Sequence, residues 1–340
     1  MDGSQLRGPN GGPVRQGQRI ARKYLRWLAW LRRQRSAITL VFTLLVLVVA
    51  GVALYELLRD VHFSDVRGAI EAVLLRQILL SMGLAALSYF VLTGYDVLAL
   101  FAIRKPQRYW RAALASFSAY CFSHNFGFAP ITGGAARWRA YHGTNITPAD
   151  IARIVVIAGV TFWLGIFLML GIFMVAFPGT LRIHDEPLAY YLQAAIGSII
   201  LLGIFAYLIA CARQNIPITI FGWTLPVPSL RQALAQFALA ATDIALASAA
   251  LLVLLPEAIW HVYPDFIIAY VVAMVIAMIS HAPGGLGVFE AVILVTLPQV
   301  DKVSLVSALI LYRVIYYWLP LLLAALLLGL HELRRYYVQT

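Results

Sequence analysis

Residues 266–297 read FIIAYVVAMVIAMISHAPGGLGVFEAVILVTL, an apolar stretch broken at its centre by Ser280-His281-Ala282-Pro283-Gly284-Gly285-Leu286-Gly287. Pro removes a backbone donor and clashes with the preceding turn, and each Gly costs a helix about 1 kcal/mol relative to Ala, so no helix runs through these residues. A second stretch of the same kind lies at 112–134, where Ser123-His124-Asn125-Phe126-Gly127-Phe128-Ala129-Pro130 is followed by Gly133-Gly134. Irregular backbone at membrane depth is tolerated only where protein or a watery cavity covers it, which makes both breaks structural decisions rather than ordinary loops.

Around them the chain is apolar throughout. Of 340 residues 62% are hydrophobic and 12% charged, about half the charge of a soluble domain, which excludes an ordinary cytosolic enzyme. Runs at 37–58, 78–101, 154–177, 188–212, 233–255 and 304–330 are each long enough to cross a bilayer as helices. The expected fold is an all-α polytopic membrane protein with six full transmembrane helices and two Pro/Gly-broken re-entrant hairpins, or eight conventional spans in place of that arrangement. Cys121 and Cys211 both sit in apolar segments, leaving neither a disulfide framework nor a thiolate metal site. The polar N-terminus and the length of the first apolar run do not fit a cleaved signal, so that run is read as a retained span.

Charge sets the orientation. Lys and Arg collect in residues 1–36, in Arg104, Lys105, Arg108 and Arg111, in Arg137, Arg139 and Arg153, and in Arg213, Arg231, Arg334 and Arg335, while the alternate connections carry no excess. The positive-inside rule then places both termini in the cytoplasm, the first broken segment opening to the cytoplasm and the second to the outside. At about 1.5 Å per residue, two arms of roughly ten residues carry the first hairpin only to mid-bilayer. The resulting order is span, span, hairpin, span, repeated with opposite orientation. Its parts are a cytoplasmic basic tail with an interfacial helix (1–36), two transmembrane repeats (37–177 and 188–332) and a short cytoplasmic tail (333–340). Ser123-His124 with Pro130 and Gly133-Gly134 echoes Ser280-His281 with Pro283 and Gly284-Gly285, and Tyr95-Asp96-Val97 echoes Thr242-Asp243-Ile244. Inverted repeats with interrupted helices place a transporter's substrate at the midplane between the halves.

Ionisable groups in the bilayer are costly, so Asp96, Asp243, Glu290 and Arg313 are expected to line one cavity. Glu290 and Arg313 pair between the second hairpin and the last span, either as a clamp or as part of a site. Asp96, near the end of its span, snorkels or caps the adjacent basic loop, or joins the cavity. His124, Asn125 and His281 sit at the breaks, where they bind a phosphate oxygen or satisfy freed backbone. Gly284-Gly285-Leu286-Gly287 resembles an anion-binding turn, and Gly133-Gly134 with Arg137 and Arg139 offers secondary headgroup contacts or an interfacial anchor. No ligand set for a metal and no cofactor motif is present. The basic residues before the first span, with Trp27, Leu28, Trp30 and Leu31, point to anionic lipid rather than nucleic acid.

The element Ser280-His281-Ala282-Pro283-Gly284-Gly285-Leu286-Gly287-Val288-Phe289-Glu290, followed by Tyr312-Arg313 and Tyr316-Tyr317, resembles the lysylphosphatidylglycerol synthase transmembrane region family, which includes the N-terminal translocase half of multiple peptide resistance factor proteins. The stretch from Asn125 through Pro130 to Gly133-Gly134 is similar to that family's first broken helix, and the resemblance covers residues 37–332. It implies a bacterial or archaeal cytoplasmic-membrane protein that moves phospholipid, such as a phosphatidylglycerol derivative, between leaflets. Under that reading Gly284, Gly285 and Gly287 cradle phosphate and Arg313 adds charge. Glu290 orients Arg313 or meets a headgroup amine, and His124 and Asp243 complete the lining. The cytosolic transferase domain of full-length relatives has no counterpart after Glu332, so lysyl transfer is not expected. A membrane-embedded lipid-modifying transferase and a proton-coupled carrier of a small solute remain as other readings. Anionic phospholipid is the expected partner, with room for a separate lipid-modifying enzyme and for self-association.

Overall fold

The computed structural model describes residues 61–178, 190–213, 228–256 and 263–339, with scattered helical positions between 48 and 59 and two short strand pairs. The basic tail, the interfacial helix and most of the first span lie outside the described residues. The helices are α1 (Phe63–Ala72), α2 (Leu75–Ala102), α3 (Tyr109–Phe126), α4 (Ala129–Ala140), α5 (Pro148–Ala176), α6 (Tyr190–Arg213), α7 (Leu230–Leu252), α8 (Tyr263–Ser280), α9 (Val288–Thr296), α10 (Lys302–Tyr312) and α11 (Leu319–Gln339). A π-helical turn, Arg313–Trp318, joins α10 to α11, so Lys302–Arg334 forms a single long apolar helix. Two antiparallel ribbons, β1 (Arg182–Ile183) with β2 (Glu186–Pro187) and β3 (Ile218–Ile220) with β4 (Trp223–Leu225), lie in connections outside the bundle.

Local sequence marks the helix starts. Thr147 and Asp150 cap α5 reciprocally, Thr147 Oγ1 accepting from the Asp150 amide at 3.3 Å and Asp150 Oδ2 from the Thr147 amide at 2.9 Å. Ser229 and Gln232 do the same for α7, and Asp301 accepts the Ser304 amide at the start of α10. Polar caps at these points end the apolar runs where the chain leaves the hydrocarbon.

The two halves meet along α2 and α7. Gln77 Nε2 donates to the carbonyls of Val253 and Leu255, both at 2.9 Å, and Ser81 Oγ to that of Ala250 at 2.7 Å. Further along, Ser88 Oγ reaches Asp243 Oδ1 at 2.6 Å, and a Cβ built on Gly94 falls 2.6 Å from Leu239 Cδ1. As numbering rises on α2 it falls on α7, so these corresponding spans of the two halves run antiparallel through the centre. The arrangement is that of an inverted repeat: α2, α3–α4, α5, then α7, α8–α9, α10–α11. Small residues set the other close approaches, as where Gly197 of α6 lies against Met174 and Val175 of α5. α6 itself buries only Gln193, Gly197 and Cys211 and leaves the rest of its surface for lipid.

Both broken segments are helical hairpins. The second follows its expected bounds, α8 descending to Ser280 and α9 returning from Val288. The first is longer than 112–134 and its arms exceed ten residues, because only Gly127 and Phe128 interrupt it. Pro130 sits in the first turn of α4, where its missing N–H costs nothing, and Gly133-Gly134 lie inside that helix instead of breaking it. The tips touch. A Cβ on Gly284 lies 2.9 Å from the Asn125 carbonyl oxygen and 3.1 Å from that of His124, and the Phe128 and His281 rings stand 5.8 Å apart.

The tip residues also correct the alignment of the repeats. Phe128 (φ 47°) and His281 (φ 54°) both adopt the left-handed conformation, each two residues before a proline. Phe128-Ala129-Pro130 is therefore the counterpart of His281-Ala282-Pro283, whereas His124 stands one turn earlier, in the last turn of α3. Left-handed backbone at non-glycine residues is uncommon and persists where the surroundings enforce it.

Candidate functional site

The second tip is assembled from its own turn. Ser280 Oγ donates to the Ala277 carbonyl and accepts the Ala282 amide, closing α8. Pro283–Gly285 then make one 3₁₀ turn, with Gly284 at φ 61°, Gly285 at φ 64° and Gly287 at φ 77°. The amides of Gly285 and Leu286 donate to Ala282 and Pro283, and that of Gly287 to Glu290 Oε2 at 2.8 Å. Those three amides are thereby spent within the turn, and the one anion held at the start of α9, by the Gly287 amide, is the protein's own carboxylate. Gly284 and Gly285 serve close approach, to the α3 backbone and to Ala277, whereas Gly287 has open space and serves its positive φ.

Arg313 ties this tip to the last span. Its Nε donates to Glu290 Oε1 and its Nη1 to the Gly284 carbonyl, both at 2.6 Å. The guanidinium lies 4.4 Å from the Tyr317 ring centroid and 5.8 Å from that of Phe289. The side chain is 9% exposed, and its Nη2 is buried with no hydrogen-bond partner among the described residues. A buried guanidinium N–H normally finds an acceptor, so this one keeps unmet hydrogen-bonding capacity beside the Tyr317 ring.

The π turn explains why these groups converge. Widening the helix at Arg313–Trp318 disturbs the regular ladder, and the carbonyls of Tyr316 and Tyr317 accept from Tyr89 Oη at 2.9 Å and Asn125 Nδ2 at 3.1 Å. Asn125 also donates to the Cys121 carbonyl, so it fastens the end of α3 to the last span. His124 is packed among Tyr89, Tyr120, Tyr316 and Tyr317. His281 instead is exposed, with Nδ1 2.8 Å from the Ile279 carbonyl.

Asp243 lies deeper between the halves. It accepts from Ser88 at 2.6 Å and from Tyr95 Oη at 3.4 Å, and Ser88 Oγ lies 2.8 Å from Tyr316 Oη. No Lys or Arg pairs with it among the described residues.

Asp96 departs from both expectations for it. Fully buried, it neither snorkels nor caps a loop, but takes Arg137 Nε at 3.0 Å on both oxygens, Arg137 Nη2 at 2.7 Å and Tyr141 Oη at 2.9 Å. Arg137, expected as loop charge and as a headgroup contact, is thus a buried structural partner, and only Arg139 of that pair is exposed. Gly133 is filled by its surroundings, Ser123 Oγ lying 2.6 Å from where its Cβ would be, while Gly134 has open space there. Asp96, Asp243 and Glu290 accordingly occupy three settings and not one cavity, the first two linked through Arg137 over Tyr120 at 5.5 Å and Tyr120 against Tyr95 at 5.5 Å. Ser88 and Tyr89 belong to this core but carry no charge and no motif, so nothing in the sequence signals them, while Tyr95 and Tyr316 stand in quoted motifs without an assigned role. Among the described residues no three His, Cys, Asp or Glu side chains gather as a metal site would require.

Fold and site together define a polytopic helical membrane protein whose opposed halves meet at two interrupted hairpins. No family model matches the chain. It is 33% identical over 313 residues to the uncharacterized protein slr0712 of Synechocystis sp., covering 90% of this chain and 94% of that one. It is 28% identical over 315 residues to the inner membrane protein YbhN of Escherichia coli, covering 90% and 91%. The chain belongs to the family of slr0712, and its multi-pass membrane character agrees with the name of YbhN.

Proposed function

We propose that this protein is a phospholipid translocase of the lysylphosphatidylglycerol synthase transmembrane type, acting in a bacterial cytoplasmic membrane with both termini inside. An anionic or aminoacylated headgroup, such as that of a phosphatidylglycerol derivative, passes the meeting point of the hairpins while its tails stay in lipid. The observation that carries this reading is the buried, unfilled Nη2 of Arg313 at that point. A phosphate oxygen supplies the missing acceptor, Glu290 holds the guanidinium in place, and Asn125 and the glycine turn fix the surrounding backbone. His124 and Asp243 border the path as polar walls.

The test is leaflet exchange of headgroup-labelled phosphatidylglycerol in liposomes containing the purified protein, read with an impermeant quencher. Arg313→Gln is expected to abolish exchange while the protein still inserts, and wild-type rates in that variant would sink the assignment. A second reading, a proton-coupled carrier of a small solute, is favoured by Asp243, whose partners are hydroxyl groups. It predicts uptake driven by a pH gradient and no lipid exchange.

A further inference from the structure

A groove of about 1090 Å³ runs along the outside of the bundle between α2, α3 and the π turn with α11. Its chemistry is graded. One end is walled by Met82, Ala85 and Ile315, the other by Thr93, Tyr109, Trp110, His331 and Arg334. At the second end Thr93 Oγ1 and Tyr109 Oη lie 2.9 Å apart, and the Trp110 and His331 rings meet edge to face at 5.9 Å. Arg334 is the one charged side chain of the lining, and the Arg111 guanidinium sits 5.2 Å over the Trp110 ring beside it. Between the ends the walls are hydrocarbon, with Phe90, Leu319 and Leu323 about half exposed.

We infer that this groove binds one acyl chain of an anionic glycerophospholipid whose headgroup rests on the aromatic and cationic mouth at Trp110, Arg111 and Arg334. Charge complementarity selects the head: the lining carries Arg334, Arg108 stands at the N-cap position of α3 and Arg111 in its first turn. Length selects the tail, since Ile315 to Arg334 spans roughly 28 Å at 1.5 Å per helical residue, more than the ~15 Å of one leaflet. The inner wall is also the wall of the central cluster, because Tyr89 lines the groove and donates to the Tyr316 carbonyl. A lipid held there has its tail alongside the hairpin tips before its headgroup leaves the interface. This inference builds on the translocase reading, and its test needs no transport.

The experiment is photolabelling of the full-length protein in nanodiscs with phosphatidylglycerol carrying a diazirine in one acyl chain, with peptide mapping. A phosphatidylcholine probe of the same chain forms the second arm. Labelling at Phe90 and Leu323 is expected to exceed that at Leu202 and Phe205, which face lipid on α6. Arg334→Gln is expected to lower groove labelling by the phosphatidylglycerol probe about fivefold, the effect of removing one cation near an anionic headgroup. Filling the groove by Ala86→Trp, or independently by Ala113→Trp, removes groove labelling and leaves α6 unchanged. Equal labelling of groove and α6 by both probes, or a groove that stays unlabelled, would overturn the inference. Protein that labels in the groove yet moves no lipid retains the groove and loses the translocase, and exchange without groove labelling does the reverse.

Discussion

Arg137, on the second arm of the first hairpin, and Arg313, on the last span, are each paired with an acid from a neighbouring element, but they differ in what is left over. Arg137 gives three hydrogen bonds to Asp96, whose second oxygen also takes Tyr141. Removing one member of such a pair strands a buried charge at a cost of about 3–5 kcal/mol. Arg137→Ala is therefore expected to lower the thermal midpoint in detergent sharply, while the double variant Asp96→Leu with Arg137→Leu recovers most of the loss. A single variant as stable as the parent would contradict a purely structural pair. The Glu290–Arg313 pair was legible in the sequence because both groups stand alone in apolar runs. The Asp96–Arg137 pair was hidden, since Arg137 lies beside Arg139 and ahead of His142, in a stretch that reads as a basic loop.

At the scale of elements, glycine has opposite meanings in the two hairpins. Gly133 and Gly134 continue a helix, whereas Gly284 and Gly285 build a turn, and composition alone does not separate the cases. Gly284 is the stricter position: its φ of 61° disfavours any side chain, and the atoms a Cβ would meet are backbone oxygens of Asn125 and His124 that cannot rotate away. Gly284→Ala is expected to force the tips apart and to abolish lipid exchange, whereas Gly134→Ala, with open space around it, is expected to retain at least half the parental rate. The π turn was not legible either, because Arg313-Val314-Ile315-Tyr316-Tyr317-Trp318 continues an apolar helical run without a break. Deleting Val314 lets the turn return to α-helical spacing, which closes the ladder over the Tyr316 and Tyr317 carbonyls and withdraws them from Tyr89 and Asn125. Loss of exchange with unchanged helical circular dichroism is the expected result. Parental exchange would show that the bonds of Tyr89 and Asn125 to this turn are dispensable.

For the whole molecule, five of the expected membrane-length runs are long helices among the described residues, because apolar runs of that length leave little choice. The sequence carried the relation between the halves less directly, through two short echoes, one of which paired the wrong residues. What the echoes could not supply is the antiparallel contact of α2 with α7, which depends on Gln77, Ser81 and Ser88 finding partners more than 150 positions away. That contact makes a sharp demand on topology. α3 begins at the end of the bundle where α2 finishes and where Trp110 meets His331 of α11, while α10 begins at the opposite end, after α9 has returned from the second tip. Cysteines placed at Arg108 and Lys302 must then label from opposite sides of the membrane. By the positive-inside rule, the positive charge around α3 predicts a cytoplasmic Arg108. In intact cells an impermeant maleimide is expected to modify Lys302→Cys, and to reach Arg108→Cys only after permeabilisation, with Cys121 and Cys211 buried and silent. The reverse pattern would invert the orientation and leave the repeat intact. Labelling of both sites from one side would break the repeat itself, because no hairpin arrangement of α8 and α9 can then bring α10 to its starting point.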